Sequence, residues 1–137
     1  QMAYCAAELG VSPFFASGDD ALAEEAAALV PGIVTCPVKR GVMPGTGAEC
    51  TVAEYERRNE GALHVAPQRA SAMIRKAAEA SMWGLKRKPP RLEPLGGPYL
   101  RRARFRPENK GEPESIAEDR HESSFIELMR MPYAVKK

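Results

Sequence analysis

Residues 11–20 read Val11-Ser12-Pro13-Phe14-Phe15-Ala16-Ser17-Gly18-Asp19-Asp20, and the fold class turns on them. The apolar run from Val11 to Ser17 is rich in strand formers and stops at a Gly-Asp-Asp turn, the pattern of a buried strand. A helix should follow at once. Asp19 or Asp20 can cap it by accepting orphan backbone N–H bonds, with Leu22, Ala26, Leu29 and Val30 on one face and Pro31-Gly32 as its stop. Ile33 to Lys39 is a second β-rich run, in which Pro37 lacks the ladder N–H and calls for an edge position or a bulge. Strand, helix and strand in such short order predict α/β layering with parallel strands.

Upstream, Met2, Cys5, Ala6 and Leu9 fall on one helical face and Gly10 supplies a C-terminal stop. A chain that opens inside a helix is expected to be cut from a longer protein; the alternative is a short N-terminal helix left by processing. Residues 1–40 thus read as a helix-strand-helix-strand core. Downstream, Gly41 to Glu49 has no period and predicts an exposed loop, and Thr51 with Glu54 forms a capping box for a short helix to about Asn59. Residues 41–61 read together as an insertion, and Ala62 to Val65 as a brief apolar link. Pro67 opens the longest periodic segment, a helix over 67–86 with Ala70, Met73, Ile74, Ala77, Ser81 and Leu85 inward. Cations at Lys86-Arg87-Lys88 and the Pro89-Pro90 stop close it.

The segment 99–137 reads as a strand and a C-terminal helix. Arg101, Arg102, Arg104 and Arg106 make the strand over 99–106 a poor half-buried pattern, so a solvated or subunit-facing strand is expected rather than an anion-binding strip. Pro107 to Arg120 is polar and predicts a loop. Ser124 and Glu127 form a second capping-box pattern, introducing a helix that ends near Pro132.

A length of 137 residues favours one domain. The net charge of +2 gives no overall pull toward nucleic acid or an anionic membrane, and neither is an expected partner. No apolar stretch is long enough for a transmembrane helix, and no basic-then-apolar leader opens the chain. Cys5, Cys36 and Cys50 lack CxxC spacing and predict free thiols in a reducing, cytoplasmic compartment.

Chemistry-bearing motifs are sparse. His64 and His121 are the only histidines, and no HExxH, GxSxG or Walker pattern is present, so no catalytic or metal-ligating residue is assigned. His64 reads first as a rim or core histidine, and zinc on Cys36, Cys50 and His64 matches no structural zinc spacing. Asp19 and Asp20 form the most site-like feature, at the C-terminal end of a strand where open α/β sheets place ligands. Their carboxylates could orient a substrate amine, although simple helix capping explains them too. Lys39, ending the second strand, could bind a carboxylate, polarise a carbonyl or serve only as a strand-end charge. Asp19, Asp20 and Lys39 are therefore the candidate substrate-binding residues.

Tyr4 to Val11, Phe14 to Ala21, Glu24-Glu25-Ala26, Val30-Pro31-Gly32 and Thr35 to Lys39 occur in an order that resembles the zinc-dependent D-aminopeptidase family typified by the dipeptide-operon aminopeptidase. The likeness continues through Ala66 to Ala70, Ile74-Arg75, Ala77 to Ala80, Pro89-Pro90, Phe105-Arg106-Pro107 and a helix over 125–131. The resemblance implies a three-layer, sandwich-like α/β subunit. It implies metal-dependent hydrolysis of short peptides with an N-terminal D-residue, with zinc activating water, and assembly into stacked homo-oligomeric rings. The family's Ser-x-Asp-x-Glu-Gly pattern, two histidines and Gly-Glu pair cannot be placed here, so the zinc ligands are expected upstream of Gln1. On that reading the chain is the C-terminal part of one hydrolase domain, a partial sheet with flanking helices that is incomplete and inactive without its N-terminal half or other subunits. Residues 40–61 exceed the family's shorter connection. The alternative function is a non-catalytic assembly or binding module built from the same α/β half.

Overall fold

Helix α1 (Met2–Glu8) ends where Gly10 takes a positive φ of 73°, a conformation that favours glycine. The Gly10 N–H donates to Ala7 O and the Val11 N–H to Ala6 O, which closes the helix with two of its orphan carbonyls satisfied. The computed structural model describes residues 1–136; Lys137, the last residue of the expected 99–137 segment, lies outside the described residues. Ala7 is buried, whereas Met2 and Leu9 at the two ends of the expected apolar stripe are exposed.

The described chain forms an α/β fold with two small three-stranded sheets, and it divides into two compact units. The first comprises residues 1–42 and 62–94. Its sheet holds β1 (Phe15–Asp19), β2 (Val34–Gly41) and β3 (Ala62–His64) in the order β1-β2-β3, with α2 (Asp20–Leu29) and α4 (Pro67–Leu85) packed on β1 and β2. Strands β1 and β2 are parallel as expected, but β3 runs antiparallel to β2, and it occupies the stretch expected to be a mere link. Only three residues long, it gains strand geometry from pairing with residues 39–41 rather than from any local pattern.

The first strand begins four residues later than expected and absorbs Gly18 and Asp19, because pairing with β2 continues through Asp19. Pro37 occupies the central strand, so the edge position is wrong and the bulge is right. The register slips between Gly18↔Pro37 and Asp19↔Lys39, leaving Val38 as the extra residue. Val38 O then accepts from the Val65 N–H at 3.0 Å. In α4 the inward stripe holds: Ala70, Met73, Ile74, Ala77 and Leu85 are half-buried and Ser81 is buried.

The second unit comprises residues 43–61 and 95–137, described here to residue 136. It contains α3 (Val52–Arg58), β4 (Tyr99–Phe105), β5 (Ser115–His121), α5 (Phe125–Arg130) and β6 (Val135–Lys136). Strand β5 corrects the expected polar loop. It pairs with β4 along its whole length, and two of the arginines that made β4 look unfit meet acids: Arg102 faces Glu118 across the ladder, and Arg104 pairs with Glu114 just ahead of β5. Arg101 corrects the expected solvated face. It is buried at 7% exposure, with Nη2 2.6 Å from Asp119 Oδ2 and 3.0 Å from Met131 O, and with the Tyr133 ring 4.1 Å from its guanidinium carbon. Ala117 and Leu128 complete this unit's core.

Candidate functional site

Register, not sequence proximity, builds the most chemically equipped place in the chain. Asp19 on β1 is the ladder partner of Lys39 on β2, and Lys39 is in turn the partner of His64 on β3. Adjacent strands lie about 5 Å apart, so a carboxylate, an ammonium and an imidazole stand in one row spanning roughly 10 Å. Just beyond the row, Asp20 at the start of α2 lies near Arg40 of β2, whose Nε is 3.2 Å from Asp20 Oδ2.

Each candidate has a definable local role. Asp19 caps α2: its Oδ1 accepts from the Leu22 N–H at 2.8 Å, while among the described residues its Oδ2 accepts no hydrogen bond. Asp20 Oδ1 accepts from the Ala21 N–H, so the capping expectation resolves onto Asp19, with Asp20 in the first turn and engaged by Arg40. No carboxylate among the described residues lies within ion-pair distance of Lys39. Ser17, nearby on β1, donates from Oγ to Cys36 O at 3.0 Å and is committed to the sheet.

Asp19, Lys39 and His64 line a cleft of about 790 Å³ whose apolar wall includes Leu22, Val38, Val65, Pro67 and Ala70. Lys39 and His64 also border a smaller depression of about 240 Å³ with Asp20 and Arg40. Sequence reasoning singled out Asp19, Asp20 and Lys39 but set His64 aside as a rim or core histidine. The β-pairing of residues 62–64 brings it to the row, and no spacing rule could have supplied that. Gly18 opens the cleft beside Asp19, since a Cβ there would meet Leu22 Cδ2 at 2.5 Å.

These residues do not form a zinc centre. Among the described residues no three His, Cys, Asp or Glu side chains converge. The row itself puts the Lys39 ammonium between its carboxylate and its imidazole, where it would repel a divalent cation. What the arrangement can do is hold opposite charges: an ammonium at Asp19 and a carboxylate or polarised carbonyl at Lys39 and His64.

The model of the D-aminopeptidase family matches residues 2–111. The chain belongs to the D-aminopeptidase family. That places it among peptidases, and the matched residues include all of the Asp19-Lys39-His64 row. The helix over 125–131, included in the sequence likeness, lies beyond the residues that the family model matches, as do β5 and β6. Neither the curated proteins nor the solved structures offer a match to the chain.

Proposed function

We propose that this chain forms the substrate-side wall of a zinc-dependent D-aminopeptidase of the dipeptide-operon type, acting on short peptides with an N-terminal D-residue. The observation that carries the reading is the charged row beside an apolar cleft wall. An aminopeptidase must recognise a free α-amino group, and Asp19 Oδ2 and the exposed carboxylate of Asp20 are the acceptors for it. Lys39, with no carboxylate partner among the described residues, is the group for the peptide's carboxylate or carbonyl oxygen, with His64 beside it. Small apolar side chains of the peptide would lie against Val38, Val65 and Ala70. The preference for D-residues is taken from the family and not from the cleft.

Because the residues described here do not fit zinc, the reading assigns the metal ligands to chain upstream of Gln1, supplied by the N-terminal half of the same enzyme or by other subunits. On this reading, the residues of this chain bind and orient the peptide. The proposal is completed by a cytoplasmic location, which three free cysteines support, and by a homo-oligomeric assembly, which is taken from the family resemblance alone.

The test is zinc content together with hydrolysis of D-alanyl-D-alanine, for this chain alone and with the preceding segment supplied. Zinc and turnover are expected only with the segment present, and Lys39→Ala should then raise KM more than it lowers kcat. Stoichiometric zinc and turnover by the chain alone would overturn the assignment of the ligands. Equal cleavage of L-alanyl-L-alanine would overturn the D-residue reading.

A further inference from the structure

The last turn of α4 carries features that peptide hydrolysis does not use. Trp83, the chain's single tryptophan, is 69% exposed, and Met82 beside it is 56% exposed. Lys86, Arg87 and Lys88 follow directly, and the Lys86 ammonium sits 4.8 Å from the centroid of the Trp83 ring. Trp83, Lys86 and Arg87 border one shallow depression. The three cations are held on the helix end, because the Arg87 and Lys88 N–H groups both donate to Gly84 O. Beyond them Pro90 is buried. Arg91 follows and is paired with Glu93, and Glu79 is the one acid between residues 76 and 92.

An amphipathic indole and a thioether flanked by a fixed basic cluster fit one kind of surface. The aromatic ring seats at headgroup depth, the thioether enters the acyl boundary, and the cations meet lipid phosphates and carboxylates. We propose that the C-terminal turn of α4 docks peripherally on an anionic membrane surface through Trp83, Met82, Lys86, Arg87 and Lys88. The net charge of +2 that argued against membrane association is an average over the chain; attraction within a Debye length depends on where the cations sit. Single-stranded nucleic acid fits less well. It would favour several stacking aromatics along a basic groove, and this turn has one aromatic beside a methionine.

The test uses the full chain and its lone tryptophan as reporter. Vesicles of phosphatidylcholine with about 30% phosphatidylserine should sediment the protein and shift Trp83 emission to the blue, and pure phosphatidylcholine vesicles should not. Combined Lys86→Glu, Arg87→Glu and Lys88→Glu should weaken binding on the order of a hundredfold or more, and Trp83→Ala about tenfold, with unchanged far-UV circular dichroism. The proposal fails if the protein does not sediment, or if sedimentation is indifferent to these substitutions. It also fails if an oligothymidine binds more tightly than the anionic vesicles, or if the blue shift arises from protein concentration alone, which would make the patch a self-association surface.

Discussion

Asp19 has two roles assigned to one carboxylate, and two substitutions separate them. Its Oδ1 caps α2 through the Leu22 N–H, and its Oδ2 is the proposed acceptor for a peptide ammonium. Asparagine caps about as well as aspartate, so Asp19→Asn should change stability by only a few tenths of a kcal/mol. Asp19→Ala removes the cap at a cost of about 1 kcal/mol, which in a chain of this size lowers Tm by roughly 3–6 °C. Both variants lose the charged hydrogen bond to the ligand, worth about 1.5–3 kcal/mol, so both should bind D-alanyl-D-alanine some 10- to 150-fold more weakly. Thermal melts followed by circular dichroism read the first effect and calorimetric titration of the peptide reads the second. If Asp19→Asn binds the peptide as tightly as the parent, the carboxylate is a cap alone and the proposed ammonium site is refuted. If Asp19→Ala melts at the parent temperature, the capping argument is refuted.

Three further outcomes follow from the second unit. Hydrogen bonding to Arg101 is the largest influence holding the Asp119 carboxyl below its ordinary 3.8, so its stabilisation is present above the unfolded carboxylate range and lost as pH falls through the lower folded value. Arg101→Met should therefore lower the urea midpoint at neutral pH and flatten its fall in acid; an unaltered acid limb would contradict the pairing. Glu54 is held at about 2, first by the Thr51 backbone N–H and next by Lys110, so the stabilisation it provides to the cap of α3 is lost as pH falls from about 4.5 toward about 2. Titration by NMR of Lys110→Ala should show Glu54 raised but still below 4.5, and a full return to 4.5 would show the cap bond to be minor. A Cβ at residue 97 would collide with the backbone carbonyl oxygen of Glu122, so Gly97→Ala should destabilise this unit by about 1–3 kcal/mol in urea unfolding, and an unchanged midpoint would argue against that close approach.

Where an element is held by residues three or four apart, it was legible. Thr51 with Glu54, Ser124 with Glu127, and Asp19 with Leu22 are all bonds across one helical turn, and each helix start is where its cap residue predicts. The stripe from Ala70 to Leu85 and the stop at Gly10 are likewise local. The bulge at Pro37 was half legible, since a missing N–H allows either an edge or a slip and only the third strand decides between them.

Contacts across long chain separations were not legible, and they decide the rest. Strand β5 is polar at five of its seven positions and acquires its identity from pairing with β4, where Arg101 and Arg102 look like a solvated face until Asp119 and Glu118 are placed opposite. His64 reaches the candidate site by pairing with Lys39, 25 positions earlier in the chain, and Lys39 reaches Asp19 across the length of α2. Capping and periodicity are set by a few neighbouring residues and leave their mark in the order of residue types. Strand register and the burial of a charge depend on which distant segment closes the loop, a choice governed by chain entropy and by pairing over the whole sheet. The amino-acid order therefore carried Asp19, Asp20 and Lys39 as candidates, and the sheet alone put Asp19, Lys39 and His64 in one row.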